Sequence, residues 1–280
     1  MVAKRIITGL LIGIVAGILI WFGDPWVTVA VCVVAALASY EFYRIVKNEN
    51  IQPLTWLGII FSVLFAVNAF VQTNSINFPG VSSWFTLSLL VTSITVIPLL
   101  WLLFKQNREH AFINWGWTVA GVLYTGWLLS FYIYIRAMEN GLGWLFLVLA
   151  CTALCDVFAY AVGSTLGKHP LASSVSGGKT IEGSIGGLIA SIIFAVVISL
   201  LFNLPISYWQ MMLTGVIIAI FAQLGDLVES LLKRNMKTKD AGNVLPGHGG
   251  ILDRIDSHLL VAPLAYYLII LLNNQGWPPG

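Results

Sequence analysis

Nine apolar runs, each close to the length needed to cross a bilayer, constrain this chain more than any other feature. They cover roughly residues 5–21, 25–43, 54–72, 84–104, 115–135, 143–162, 184–203, 208–228 and 255–272. A helix of ~20 residues crosses a hydrocarbon core ~30 Å thick, and within that core each backbone polar group must be satisfied inside the segment. A soluble helix would show a polar face at a period of 3.6, and most of these runs do not. Only 9% of residues are charged and 58% are hydrophobic. The sequence therefore predicts an all-α polytopic membrane protein with about nine transmembrane helices. Trp21, Phe22, Asp24 and Pro25 follow the first run where a cleaved signal peptide would carry small residues, so that run reads as a retained helix.

Charge sets the expected orientation. With the amino terminus in the cytoplasm, Lys4, Arg5, Arg44, Lys47, Lys105, Arg108, Lys168, Lys179, Lys233, Arg234, Lys237, Lys239 and Arg254 all fall on the cytoplasmic side. That is 13 of the 14 basic residues, and Arg136 alone lies opposite. The positive-inside rule thus favours nine spans with the carboxyl terminus outside. Residues 1–142 would supply about five amino-terminal spans, and 143–280 the remaining spans with cytoplasmic loops 163–183 and 229–254. Trp26, Trp84, Trp115, Trp117, Trp144 and Trp209 fall near span ends and read as interfacial anchors. Cys32, Cys151 and Cys155 lie within spans and read as small buried side chains.

Against this apolar background stands one polar stretch, SLLKRNMKTKDAGNVLPGHGGILDRID, from Ser230 to Asp256. From Asp226 to Asp256 five acidic residues balance five basic ones, so it is not a simple basic patch for anionic lipid. Carboxylates, cations and glycines together suit polyphosphate chemistry. Mg²⁺ takes one or two carboxylates plus phosphate oxygens, and glycines allow backbone N–H groups to approach phosphate. Asp156, Asp226 and Glu229 lie within or at the edge of spans, where a carboxylate is costly unless paired, bound to a cation or wet. Glu41 and Arg44, three apart at a helix end, read as a structural pair.

A second polar loop, residues 163–187, contains SGGKT. A Walker A motif would need glycine where Ser173 stands, and no preceding strand is evident, so a P-loop is rejected. Thr180 and Glu182 are expected to open the next helix, whose amides, with Lys179, suit a phosphate as well as they suit an ordinary cap.

The pattern S-x-L-K-R-x₄-K-D-x-G-x₂-L-P-x-H-G-G-I-x-D-R-I-D, Ser230 to Asp256, resembles the signature of the phosphatidate cytidylyltransferase (CDP-diacylglycerol synthase) family. The resemblance extends through GDLVES (225–230), SGGKTIEGSIGG and CDVFAY, and covers about the carboxyl-terminal half. One departure is Gly177, where the family usually has proline, which is expected to loosen that loop.

The resemblance implies a nucleotidyltransferase that uses CTP and phosphatidic acid in phospholipid biosynthesis. It also implies Mg²⁺ at two cation sites, is compatible with a monovalent cation, and suggests a homodimer in the bacterial cytoplasmic membrane with its active site facing the cytoplasm. No nucleic acid partner is implied. Asp226 and Asp253 match the family's metal-site carboxylates. Asp256 and Asp156 are candidates for supporting the metal or orienting substrate, and Lys239 and Asp240 join the catalytic set. Lys233, Arg234, Lys239 and Arg254 are candidates for the triphosphate, and Ser176, Lys179 and Thr180 for a substrate phosphate. His248 would either order the PGHGG turn or transfer a proton. A CTP-dependent lipid kinase would share this site but release CDP. A secondary transporter would show paired repeats around midplane charges, which are absent from the sequence.

Overall fold

The structure is a computed structural model that describes residues 13–47, 51–74, 82–104, 110–238, 241–242 and 249–273. Among these residues the chain is almost entirely helical. A short apolar helix α1 (Gly13–Phe22) precedes α2 (Trp26–Val46), α3 (Thr55–Thr73) and α4 (Ser83–Leu103). Next, α5 (Ala111–Gly121) runs through a π-helical stretch, Val122–Trp127, into α6 (Leu128–Ala137). The chain continues with α7 (Gly141–Leu166), strands β1 (Pro170–Ala172) and β2 (Ser176–Thr180), α8 (Ile181–Leu201), α9 (Tyr208–Asn235) and α10 (Leu252–Leu272).

Among the described residues eight segments are long and apolar enough to span a membrane, with α5 and α6 forming one of them. These correspond to the second to ninth runs of the sequence. The first run starts outside the described residues and is represented by the ten residues of α1. The protein is thus an all-α multi-pass membrane protein, with one small hairpin that the apolar pattern did not foretell.

Two compact units are present. One comprises residues 1–137 together with 235–254, the other 138–234 together with 255–280. In the first unit, hydroxyls join the helices where apolar side chains give no preference over lipid. Thr125, in the π-helical stretch, shares a hydrogen bond of 2.6 Å with Ser39 of α2 and one of 3.4 Å with Ser62 of α3. The Tyr43 hydroxyl donates to the Thr118 carbonyl at 2.7 Å, and the Leu54 N–H donates to Thr118 Oγ1 at 2.9 Å. Arg136 donates from Nε to the Ile20 carbonyl at 3.1 Å, which satisfies an acceptor at the end of α1.

In the second unit, glycines set the helix spacing. A Cβ on Gly183 or Gly187 of α8 would stand 2.6 Å from the Ala159 carbonyl or 2.7 Å from the Cys155 carbonyl of α7. Ser191 of α8 donates to the Gly215 carbonyl of α9 at 2.9 Å. Trp144 departs from the expected interfacial role. It is fully buried among helices, whereas Trp26, Trp84 and Trp209 are more than half exposed.

Candidate active site

The second unit holds a cleft of about 220 Å³ lined chiefly by Asp156, Tyr160, Lys179, Thr180, Gln223 and Asp226. Three helices and the hairpin build it. Helix α7 continues to Leu166, beyond the expected end near residue 162, because Gly163, Ser164 and Thr165 are polar but still helical. Asp156 therefore lies ten residues from that end, about 15 Å along the axis, rather than one or two turns as the sequence suggested.

SGGKT forms strand β2, which pairs antiparallel with β1 in the register Pro170↔Thr180 and Ala172↔Ser176. A strand thus leads into α8 after all. It is the motif itself, not a strand followed by a phosphate loop, and the P-loop reading stays rejected. Nor does Gly177 leave a loose loop, since it sits inside the paired strand. Thr180 caps α8, its hydroxyl oxygen accepting the Gly183 N–H at 3.1 Å. Glu182 in the first turn accepts the N–H groups of Lys168 and His169 at 3.1 and 3.2 Å and contacts the His169 ring at 2.6 Å. These bonds fix the approach of the hairpin to the helix.

The hairpin presents Lys179 to α9. Its ammonium lies 2.6 Å from Asp226 Oδ2 and 3.4 Å from the Gln223 carbonyl oxygen. Ser230 donates to the other Asp226 oxygen at 3.3 Å. Gln223 donates to the Ser184 carbonyl at 3.1 Å and accepts a short hydrogen bond from the Ser184 hydroxyl, holding α8 to α9 beside the lysine. A Cβ on Gly225 would stand 2.6 Å from the Asp256 carbonyl, so only glycine lets the start of α10 lie on α9 there. This places Asp256 with Asp226 and Asp156, and the three carboxylates lie within electrostatic reach of one another.

The other basic candidates are distributed differently. Lys233 is ion-paired with Glu229 one turn before it, and Glu229 is wholly buried. Asp226 and Glu229 thus do not share one environment, although they are three apart on α9. Arg234 donates from Nε to the Val175 carbonyl at 3.3 Å, bracing the hairpin turn. Ser176 begins β2.

In the first unit, Asp253 opens α10 and accepts the Ala241 N–H at 3.2 Å and the Gly250 N–H at 3.1 Å. Arg254 beside it is exposed. Glu41 does not serve mainly as an Arg44 partner. Its carboxylate accepts the Leu252 N–H at 2.8 Å, 211 residues away. Lys239, Asp240 and His248 lie outside the described residues.

Among the described residues no group of three His, Cys, Asp or Glu side chains is arranged to hold a metal ion by itself. The donor chemistry nonetheless fits Mg²⁺. Asp156 and Asp226 line the cleft with Lys179, which pairs with Asp226, and that ion needs only one or two carboxylates when phosphate and water complete its shell.

Sequence reasoning overlooked Gln223, Ser184 and Tyr160. Gln223 carried a signal, being a polar residue inside an apolar run and three before Asp226. Tyr160 carried none, since a tyrosine near a span end is ordinary.

The profile of the cytidylyltransferase family matches residues 3–272. The chain belongs to the cytidylyltransferase family. Among its relatives, the phosphatidate cytidylyltransferase of Bacillus subtilis (strain 168) is 32% identical over 274 residues, covering 96% of this chain and 98% of the relative. That of Staphylococcus haemolyticus is 35% identical over 226 residues, covering 80% and 83%, and that of Staphylococcus aureus (strain COL) is 37% identical over 188 residues, covering 67% and 68%. Membership spans the amino-terminal helices as well, where the sequence resemblance was one of kind only. In cytidylyltransferase terms, the cleft gathers the SGGKT and GDLVES segments and Asp156 in one place.

Proposed function

We propose that this chain transfers CMP from CTP to phosphatidic acid, forming CDP-diacylglycerol and pyrophosphate for phospholipid biosynthesis. The observation that carries the reading is the Lys179–Asp226 pair at 2.6 Å in an acidic cleft of a cytidylyltransferase-family membrane protein. An oxygen of the phosphatidate phosphate attacks the α-phosphorus of CTP, and the bond from that phosphorus to the bridging oxygen of pyrophosphate breaks. A phosphate monoester is largely dianionic near neutral pH, its second pKa being ~6, so no strong base is needed. The chain contributes positioning and charge.

Lys179 neutralises a substrate phosphate when it leaves Asp226, and Thr180 lines the same cleft beside it. Ser176 supports the lysine strand. Asp156 and Asp256 orient the bound groups, while Lys233, Arg234, Arg254 and Lys239 bind the triphosphate and leaving pyrophosphate. Asp240 and His248 belong to the same catalytic stretch. Asp226 and the motif residue Asp253 are the carboxylates assigned to Mg²⁺ by their match to the family motif, with two cation sites in all and a monovalent ion compatible with the reading. When bound, Mg²⁺ offsets charge on the phosphates as the leaving group departs.

Catalysis is assigned to residues 143–280, at the cytoplasmic face of the bacterial membrane in a homodimer. CTP then arrives from water while the acyl chains of phosphatidate stay in lipid. The test follows labelled CTP with phosphatidic acid and Mg²⁺ in detergent, reading lipid-linked cytidylate and pyrophosphate, beside Asp226→Asn and excess EDTA. Equal formation of both products, lost in both controls, is the expected result. Release of CDP with a phosphorylated lipid alcohol would replace the reading by a kinase.

A further inference from the structure

Glu41 has no place in that reaction, yet it is a fully buried carboxylate in an apolar helix. Such a group is costly unless it does something that apolar packing cannot. Its Oε2 accepts the Leu252 N–H at the first residue of α10. Its Oε1 is buried with no hydrogen-bond partner among the described residues. Around it the backbone is shaped to the carboxylate. A Cβ on Gly242 would clash with Oε1, and one on Gly250 would lie 2.7 Å from Oε2 and 2.8 Å from the Gly242 nitrogen. Gly249, with φ +84°, turns the chain in a conformation that side-chain-bearing residues rarely adopt. Asp253 then binds the N–H groups of Ala241 and Gly250. Two carboxylates, one from α2 and one from α10, thus close the backbone at 241–242 onto 250–252. Two of the glycines that the sequence suggested for approach to phosphate are needed for approach to Glu41.

We propose that Glu41 is a positioning residue for the reaction: it fixes the entry to α10 and with it the direction in which Asp253 points. The inference rests on the proposed transferase reading. It also explains why α2, remote in sequence from the motif, carries an acid at this depth. What matters is an acceptor of the right length. A charge at position 41 is not required.

Three variants separate these ideas. Glu41→Gln keeps both length and an acceptor oxygen, Glu41→Asp keeps the charge but is one methylene short, and Glu41→Ala removes both. Steady-state rates for CTP and phosphatidate are measured with amide hydrogen exchange of the peptide containing Leu252. The expected result is a kcat within about threefold of wild type for Gln. For Asp and Ala a kcat at least about tenfold lower is expected, with KM changed less than about twofold. Exchange at Leu252 should quicken in Asp and Ala and not in Gln. If Ala fails to fold, the Gln–Asp pair decides alone. Wild-type kcat in Asp, or Gln as impaired as Asp, would overturn the proposal, the latter by making charge the requirement. If the wild type makes no CDP-diacylglycerol, the transferase reading fails, while the exchange result still reports whether Glu41 holds the backbone.

Discussion

Lys179 and Asp226 are about one-fifth and one-third exposed, and an ion pair of that kind contributes only ~0–1 kcal/mol to stability. Their value is therefore chemical. On the proposed reading, a lysine held 2.6 Å from a carboxylate is a cation kept in place until phosphate competes for it. Lys179→Met should leave the melting temperature within a few degrees of wild type, yet lower kcat/KM ~10²–10³-fold, the range found when one transition-state donor is removed. Thermal unfolding and steady-state kinetics on one preparation check this, and a large loss of stability with unchanged kinetics would contradict it. Glu229 presents the opposite case. It is buried and held by the largely buried Lys233, so Glu229→Ala removes one partner of a mostly buried ion pair and should destabilise the fold by ~3–5 kcal/mol. Glu229→Gln should cost less because the neighbouring groups keep a polar partner. Chemical or thermal unfolding ranks the two.

The elements themselves were legible because each rests on a simple local property. Among the described residues eight of the apolar runs are helices long and apolar enough to span a membrane, properties that length and composition alone decide. Their ends were less legible. Helix α7 continues through Gly163–Ser164–Thr165, because a helix leaving the hydrocarbon keeps its own backbone bonds among polar residues. The hairpin was hidden for a related reason: five residues of SGGKT carry no alternating apolar pattern, and only pairing with β1 makes them a strand. The roles of glycines were harder still. Gly183 and Gly187 look like phosphate-loop glycines but are contact points between α7 and α8, four apart on one face. A side chain at Gly187 would press on the Cys155 carbonyl at 2.7 Å, and backbone cannot yield as a flexible side chain can. Gly187→Leu should thus cost ~1–3 kcal/mol by overpacking. Activity should fall with it, because α8 carries the Thr180 cap beside the cleft. Retention of wild-type stability in detergent would show that the two helices can part without loss.

For the whole molecule, the candidate site was legible as chemistry and not as geometry. Asp156, Lys179 and Asp226 could be picked out because charged residues are rare in this chain. Lys179 is brought to Asp226 beside the Gln223–Ser184 contact, and Asp256 is brought onto α9 at Gly225; Gln223, Ser184 and Gly225 all look like ordinary helix residues. Orientation in the membrane belongs to the entire chain, and the expectation rests on the nine-span path, which would put 13 of 14 basic residues on one side. It has a direct consequence within the second unit. The exposed turn residue Ser174 precedes α8, while the exposed Ser207 follows it, so one spanning helix separates them. With Cys32, Cys151 and Cys155 changed to alanine, Ser174→Cys and Ser207→Cys can be probed singly with a membrane-impermeant thiol reagent. Ser207→Cys should label in intact spheroplasts and Ser174→Cys only in inverted vesicles, since the hairpin must face the compartment that holds CTP. The reverse pattern would put Lys179 on the side without nucleotide and remove the proposed reaction. Labelling of both positions from one side would instead mean that α8 does not cross the membrane.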